Sequence, residues 1–235
     1  MLLYINRHGD TDYATDSLTE RGLAQAEAVG KRLAASGIDR VFSSPMGRAR
    51  QTAEPTCRLL GLDYTVEEWS HEIGDEHRLT PYPDGKLKSV SLVDRVDLRR
   101  DGAMDLDFDH ALEAPGFSTS GMQDALDKIG AGCRDFLARL GYVEENGVYR
   151  ITKPSDDKVA LFCHAGTGRI LISHLLHIPL HLVWAGFNYN HTGVTVIEFK
   201  NQKTGFTVPR MLCHSDTSHL YAHGPDMKYG GRTEI

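Results

Sequence analysis

The sequence predicts an α/β fold: three layers, with a mainly parallel central sheet flanked by helices. Two observations carry this. Short apolar runs bounded by polar residues recur along the chain, as buried strands do. Segments with helical apolar spacing alternate with them, and alternating strands and helices build a parallel sheet. The length sets the scale. At ~150 residues per domain, 235 residues correspond to one large domain, or one domain carrying a sizeable insertion.

The elements follow in order. Leu2 to Asn6 is an apolar run ending in polar residues, a buried strand. Leu23, Ala26, Val29, Gly30 and Leu33 keep helical spacing. Thr19 or Ser17 is placed to cap that helix, and Gly37 to stop it. Arg40–Ser43 reads as a strand. Gly47–Leu60 reads as a second helix, which Pro55 should kink or interrupt. Tyr64–Trp69 is a third strand-like stretch. From 72 to 118 the periodicity collapses into a polar stretch punctuated by Pro81, Pro83, Gly85, Gly102, Pro115 and Gly116. So long a connection is an insertion rather than an ordinary loop, with room for two short helical pieces. Ser120–Leu140 regains helical spacing and ends at Gly141. Tyr142–Thr152 is a hairpin around Asn146-Gly147, a favoured two-residue turn. Lys158–Cys163 is a strand, Gly168–His177 a helix, and Val194–Phe199 and Thr207–Cys213 two further strands. The tail 214–235, rich in Gly, His and polar residues, is expected to be partly mobile. The chain is thus read as a single domain, 1–235, with the 72–118 insertion within it.

Composition excludes several function classes. The 26 Lys and Arg against 32 Asp and Glu leave a net charge of −6. With no basic run, the chain is a poor nucleic-acid binder, since phosphate neutralisation drives that binding. No apolar stretch approaches the ~20 residues of a membrane helix. The opening MLLYINRHGD lacks a basic leader and reads as a strand rather than a signal peptide. The four cysteines lie far apart with no CxxC pair. This argues against a zinc ribbon or a disulfide scaffold and for a reducing, cytoplasmic setting.

In an open α/β sheet, ligands bind beyond the carboxyl ends of the strands. After the first strand come Arg7, His8, Gly9, Asp10 and Thr11. After the second come Ser43, Ser44 and, one turn on, Arg48. After the third come Glu67, Glu68 and nearby Glu72. After LFC comes His164-Ala165-Gly166-Thr167-Gly168-Arg169. Each piece has a bland reading: a strand-end charge, a packed histidine, a solvated helix arginine, a simple glycine turn. Their convergence on one sheet edge favours a phosphate. Arginine forks pair with its oxygens, and a helix N-terminus offers free N–H groups.

These segments resemble the histidine phosphatase superfamily, also called phosphoglycerate-mutase-like. RHGDT after the first strand, LTERGLAQAEAVGKRL, VFSSPMGRARQTAE and FCHAGTGR agree with its motifs in order and spacing, over about residues 1–70 and 120–200. The resemblance implies a phosphomonoesterase in which His8 is phosphorylated, with an insertion lying over the active site. Arg7, Arg48 and His164 would hold the phosphoryl oxygens, with Thr11 and the Ala165 N–H as further substrate contacts. A carboxylate just after the third strand would protonate the leaving group. The family pattern picks Glu68, with Glu72 its main competitor and Glu67 a lesser one. No metal or cofactor is implied. Asp10 stands where Glu or Gln is commoner. The 12–17 loop lacks the WN and QG-x-x-D elements, and the insertion lacks the RR-x-Y-D segment of the mutases. Water rather than a bound product is therefore the expected acceptor.

Three other readings compete. Cys163 and Arg169 form C-x5-R, the loop of cysteine-dependent phosphatases. However, no Trp-Pro-Asp acid loop accompanies it, and RHGDT is left unexplained. Twelve histidines raise the question of a metal, but none has HExxH or comparable spacing. His191 and His219 are placed instead at the pocket mouth. A non-catalytic module of the same fold would be expected to have lost His8 or an arginine. A small phosphorylated substrate is the expected partner, a phosphoprotein the alternative. Selectivity is assigned to the insertion, including His77, Arg78, Tyr82, Lys86, Lys88, Arg95, Arg99 and Arg100. The motifs carry no signature of oligomeric state.

Overall fold

A computed structural model describes residues 1–73, 95–117 and 122–221, together with the strand backbones at 79–81 and 87–89. The order begins β1 (Leu2–Arg7), β2 (Thr11–Asp12), β3 (Ser17–Leu18), α1 (Glu20–Ser36), β4 (Arg40–Ser43), α2 (Gly47–Leu60) and β5 (Tyr64–Val66). A short hairpin, β6 (Leu79–Pro81) and β7 (Leu87–Ser89), precedes α3 (Met122–Arg139), β8 (Tyr142–Glu145), β9 (Val148–Ile151) and β10 (Lys158–Cys163). Then come α4 (Ala165–Leu176), α5 (Leu180–Gly186), β11 (Val194–Glu198), β12 (Phe206–Thr207), β13 (Arg210–Asp216) and α6 (Ser218–Tyr221).

The chain forms two compact units. The first comprises Met1–Glu72, Phe136–Gly168 and Tyr189–Ile235; the second comprises Ile73–Asp135 and Arg169–Asn188. The second unit starts where the insertion was expected to start, but it continues past residue 118 and takes in 169–188.

The first unit holds a six-stranded sheet in the order β13-β11-β1-β10-β4-β5. β1, β10, β4 and β5 run parallel, while β11 is antiparallel to both of its neighbours. Alternate residues of the central strands point into a core of Val29, Leu33, Val41, Ala53, Ala160, Phe162 and Val194. The Thr19 hydroxyl accepts from the Gly22 N–H, and Gly37 ends α1 in the left-handed region at φ 70°. At the 142–151 hairpin, Asn146 (φ 52°) and Gly147 (φ 82°) have the two positive angles of a type I′ turn.

Several expectations are corrected. Leu23 is 51% exposed; the buried stripe of α1 runs through Gln25, Ala26, Val29 and Leu33. α2 passes Pro55 without interruption. Pro55 packs where α1 has no side chain: a Cβ on Gly30 would lie 2.7 Å from the Pro55 Cβ. β5 stops at Val66, and Glu68–Ser70 form a 3-10 turn. α4 begins at Ala165, three residues before the expected Gly168. The strand expected from Thr207 to Cys213 divides at Pro209, β12 pairing with β9 and β13 with β11. β13 continues to Asp216 and α6 follows, so the start of the expected mobile tail is regular structure. α5 was not anticipated. Within the insertion, short 3-10 turns occupy Ala103–Asp105 and Ala111–Glu113. His77, Arg78, Tyr82 and Lys86, and the tail from 222 on, lie outside the described residues. Among the described residues no helix is long and apolar enough to cross a membrane.

Candidate active site

β1, β10 and β4 are parallel neighbours, so their carboxyl ends place Arg7-His8, His164 and Ser44 side by side. All belong to the first unit. His8 is 1% exposed. Its backbone N–H donates to Cys163 O (3.0 Å) and its backbone O accepts from Thr192 N (3.2 Å), which fixes the residue from both sides. The Nδ1–Gly9 O distance is 2.7 Å. A carbonyl only accepts, so Nδ1 carries the hydrogen and Nε2 keeps its lone pair. Burial, then the Arg7 guanidinium, then His164 and Arg48, hold the His8 pKa well below the ordinary imidazole range.

The glycines of both motifs are explained by close approach. A Cβ on Gly22 would sit 1.9 Å from Asp10 O, and one on Gly9 would sit 2.8 Å from Gly22 O. The backbone after β1 therefore lies directly on the first turn of α1. Asp10 locks this contact: its carboxylate takes Thr19 Oγ1 (2.7 Å) and Arg21 Nη2 (2.7 Å), and its N–H donates to Gln25 Oε1 (2.8 Å). Gly9 N–H donates to Thr52 Oγ1 on α2 at 3.0 Å.

Arg7 is aimed by the loop before β11. Nη1 donates to Tyr189 O (2.5 Å) and Nη2 to His191 Nε2 (2.9 Å). His191 must accept there, so its hydrogen is on Nδ1, facing Asp10 Oδ1 at 3.6 Å. Burial, with Arg7 next, pushes the His191 pKa down to about 3. The ring centroids of His164 and His191 lie 5.2 and 5.6 Å from that of His8. His164 is fully buried, its Nε2 2.7 Å from Ser44 Oγ. Arg48, 4% exposed at the start of α2, forms an ion pair with Asp16. The same carboxylate accepts from Gly47 N at 2.6 Å. The Tyr13 ring lies 5.5 Å from the Arg48 guanidinium.

The carboxylates after β5 separate clearly. Glu67 is buried, its Oε2 taking Trp69 Nε1 and Arg139 Nη2, both at 2.7 Å, which anchors the turn. Glu68, expected as the acid, is exposed on the 3-10 turn. The structure brings in Glu72 instead. Its two carboxylate oxygens lie 3.4 and 3.3 Å from Gly166 N and Thr167 N, at the N-terminus of α4 directly after His164. A hydrogen bond of 2.7 Å from Thr167 Oγ1 to His71 O pins the strap that carries it. The early start of α4 creates this contact: its first-turn N–H groups have no intrahelical partner. Ala165 is the first residue of that helix. Thr11, expected to touch substrate, commits its hydroxyl to Ser17 O at 2.6 Å.

Cys163 is fully buried, and burial raises its thiol pKa. A nucleophilic cysteine needs exposure and a lowered pKa, so the C-x5-R reading fails on geometry. His219 is buried, 3.0 Å from Thr192 Oγ1 and 3.2 Å from Arg32 Nη1. Among the described residues no three His, Cys, Asp or Glu side chains group as metal ligands do.

The family model of the histidine phosphatase superfamily, branch 1, matches residues 3–77 and 114–210. The chain belongs to this superfamily. A Hydrogenobacter thermophilus protein that carries phosphoserine phosphatase as a provisional name is 22% identical over 222 residues, covering 91% of this chain and 97% of that one. A phosphoserine phosphatase mutant from Entamoeba histolytica, solved with phosphoserine, superposes with TM-score 0.60 at 21% identity, covering 93% of this chain and 98% of that one. A mycobacterial glucosyl-3-phosphoglycerate phosphatase solved with VO3 gives 0.57 at 22%, covering 90% and 97%. At such identities these structures establish the shared histidine phosphatase fold.

Proposed function

We propose that this histidine phosphatase hydrolyses small phosphomonoesters through a phosphohistidine on His8. The observation that carries the reading is the His8 ring. Nδ1 is tied to Gly9 O, and burial and neighbouring cations keep the ring neutral. A nucleophile needs a free lone pair at the operating pH. Nε2 of His8 attacks phosphorus while the ester oxygen leaves on the opposite side. Arg7, Arg48 and His164 stabilise charge on the equatorial oxygens, with the Ala165 N–H beside them. Glu72 donates a proton to the leaving oxygen. It then takes one from water, which attacks the phosphohistidine and releases inorganic phosphate.

Glu72 is positioned for this by the Gly166 and Thr167 N–H groups at the α4 N-terminus, 3.4 and 3.3 Å from its two carboxylate oxygens. Water is the acceptor because the chain lacks the segments by which mutases retain a phosphorylated acid. A cytoplasmic setting rests on four free cysteines, three of them buried. The test is release of inorganic phosphate from p-nitrophenyl phosphate and phosphoserine with EDTA present, beside a 3-phosphoglycerate isomerisation assay. Hydrolysis without isomerisation is expected. Isomerisation in excess of hydrolysis would make the protein a mutase.

A further inference from the structure

The second unit contains a cavity that the phosphoryl chemistry does not use. Its volume is about 110 Å³. That is room enough for a carboxylate or phosphate group. Leu98 and Trp184 are buried there, while Arg95, Arg169, Phe187 and Asn188 complete the lining. No acidic residue lines it among the described residues. Arg169 Nε donates to Phe187 O at 3.1 Å, and its guanidinium lies over the Trp184 ring at 5.1 Å. One arginine of the wall is thereby held in a fixed pose against an aromatic face.

The charge around this cavity is unbalanced. Asp97 and Asp101 both turn to Arg100, at 2.9 and 3.2 Å. Arg95 and Arg99 have no carboxylate partner among the described residues. Arg99 also reaches the cavity wall, because residue 186 is glycine: a Cβ there would lie 3.0 Å from Arg99 Nη2. In a chain of net charge −6, such a local excess of guanidinium is not the average surface. Arginine forks bind carboxylate and phosphate bidentately, and a nearby aromatic face lowers the local dielectric.

The geometry points to a second anion-binding site in this unit, distinct in its residues from the phosphoryl site, for a small molecule bearing a carboxylate or phosphate. Arg95 and Arg99 supply the charge, Arg169 and Asn188 the oriented polar wall, and Trp184 the apolar floor. Either anionic group satisfies this chemistry, and the experiment separates them.

The chain has two tryptophans, so 5-fluorotryptophan labelling gives two ¹⁹F resonances, assigned with Trp69→Phe. The full-length protein is titrated separately with inorganic phosphate and with malonate. The Trp184 resonance is expected to shift saturably with at least one of them. A response to phosphate alone assigns the site to a phosphate group, and a response to malonate alone to a carboxylate. The shift should persist in Arg48→Ala, whose lesion lies in the catalytic site. It should weaken at least tenfold in affinity in Arg95→Ala/Arg99→Ala. Both of these arginines are exposed, so the fold should tolerate the change. The proposal is overturned if neither anion moves Trp184 saturably. It is also overturned if the shift survives unchanged in the double variant, or if Arg48→Ala abolishes it. None of these outcomes bears on hydrolysis at His8.

Discussion

Replacing Glu72 by Gln should separate two kinds of substrate. Glutamine keeps an oxygen to accept from Thr167 N or Gly166 N, contacts of 3.3 and 3.4 Å in the wild type. The strap is also held by the Thr167–His71 bond, so the position should survive and only the transferable proton is lost. Positioned proton transfer is worth about 10²–10⁴ in rate, or about 3–5 kcal/mol at 1.36 kcal/mol per tenfold. That loss should fall on esters whose leaving oxygen must be protonated. The value of kcat/KM reports steps up to leaving-group departure, so it isolates the acid role from the later activation of water. For an alkyl phosphate we expect kcat/KM to fall about 10²–10³-fold. For p-nitrophenyl phosphate, which departs as a stable anion, the fall should be under about tenfold. Glu68→Gln, on the exposed turn, should leave both within about twofold. Equal losses on both substrates would mean that Glu72 only positions the α4 N-terminus. Selective loss in Glu68→Gln would return the acid to that residue.

Three further outcomes follow from the same geometry. Arg48→Ala should lower kcat/KM by about 10²–10³, the usual cost of one transition-state donor, while Arg210→Ala, 73% exposed on β13, should change it less than twofold; equal effects would remove Arg48 from the site. Gly22→Ala should cost about 1–3 kcal/mol or more in urea denaturation, because its Cβ would overlap Asp10 O and force the backbone after His8 to move; an unchanged midpoint would contradict the close approach. His191 has a folded pKa of about 3 against an ordinary 6.5. The unfolded chain therefore takes up a proton that the native protein refuses, and stability falls as pH drops below 6.5, by about 1.4 kcal/mol per unit for this group. His191→Asn should flatten the decline between pH 6.5 and 5 by about 2 kcal/mol, and an unaltered slope would show that His191 is protonated in the native state.

The parts of the site that were legible in sequence are local ones. Arg7-His8, Arg48 and His164 each follow a recognisable strand at a short, fixed distance, and parallel neighbours necessarily bring their ends together. Gly22 was readable as part of a motif, but its reason, contact with Asp10 O, is tertiary. Glu72 was harder. The motif match counted along an extended strand, whereas the chain turns through a 3-10 segment after Val66 and changes which carboxylate faces inward. Asp16 and Tyr13 approach Arg48 only because the 12–17 loop folds back, and nothing in TDYATD states this. His191 was expected at the pocket mouth, but its pairing with Arg7 is a tertiary contact that no local pattern states. The helix 180–186 is a single short piece after Pro179, with too few turns for periodicity to show. Among the described residues of 72–118, turns and short strands replace periodic elements, so pattern reading has no period to count.

The most direct measurement is the site of phosphorylation. The protein is mixed briefly with p-nitrophenyl phosphate, quenched in alkali, where phosphohistidine survives, and mapped by mass spectrometry. The account requires phosphate on His8 in wild type and in Cys163→Ser, and no phosphoenzyme or turnover in His8→Ala. Phosphate on Cys163, or an active His8→Ala protein, would contradict it.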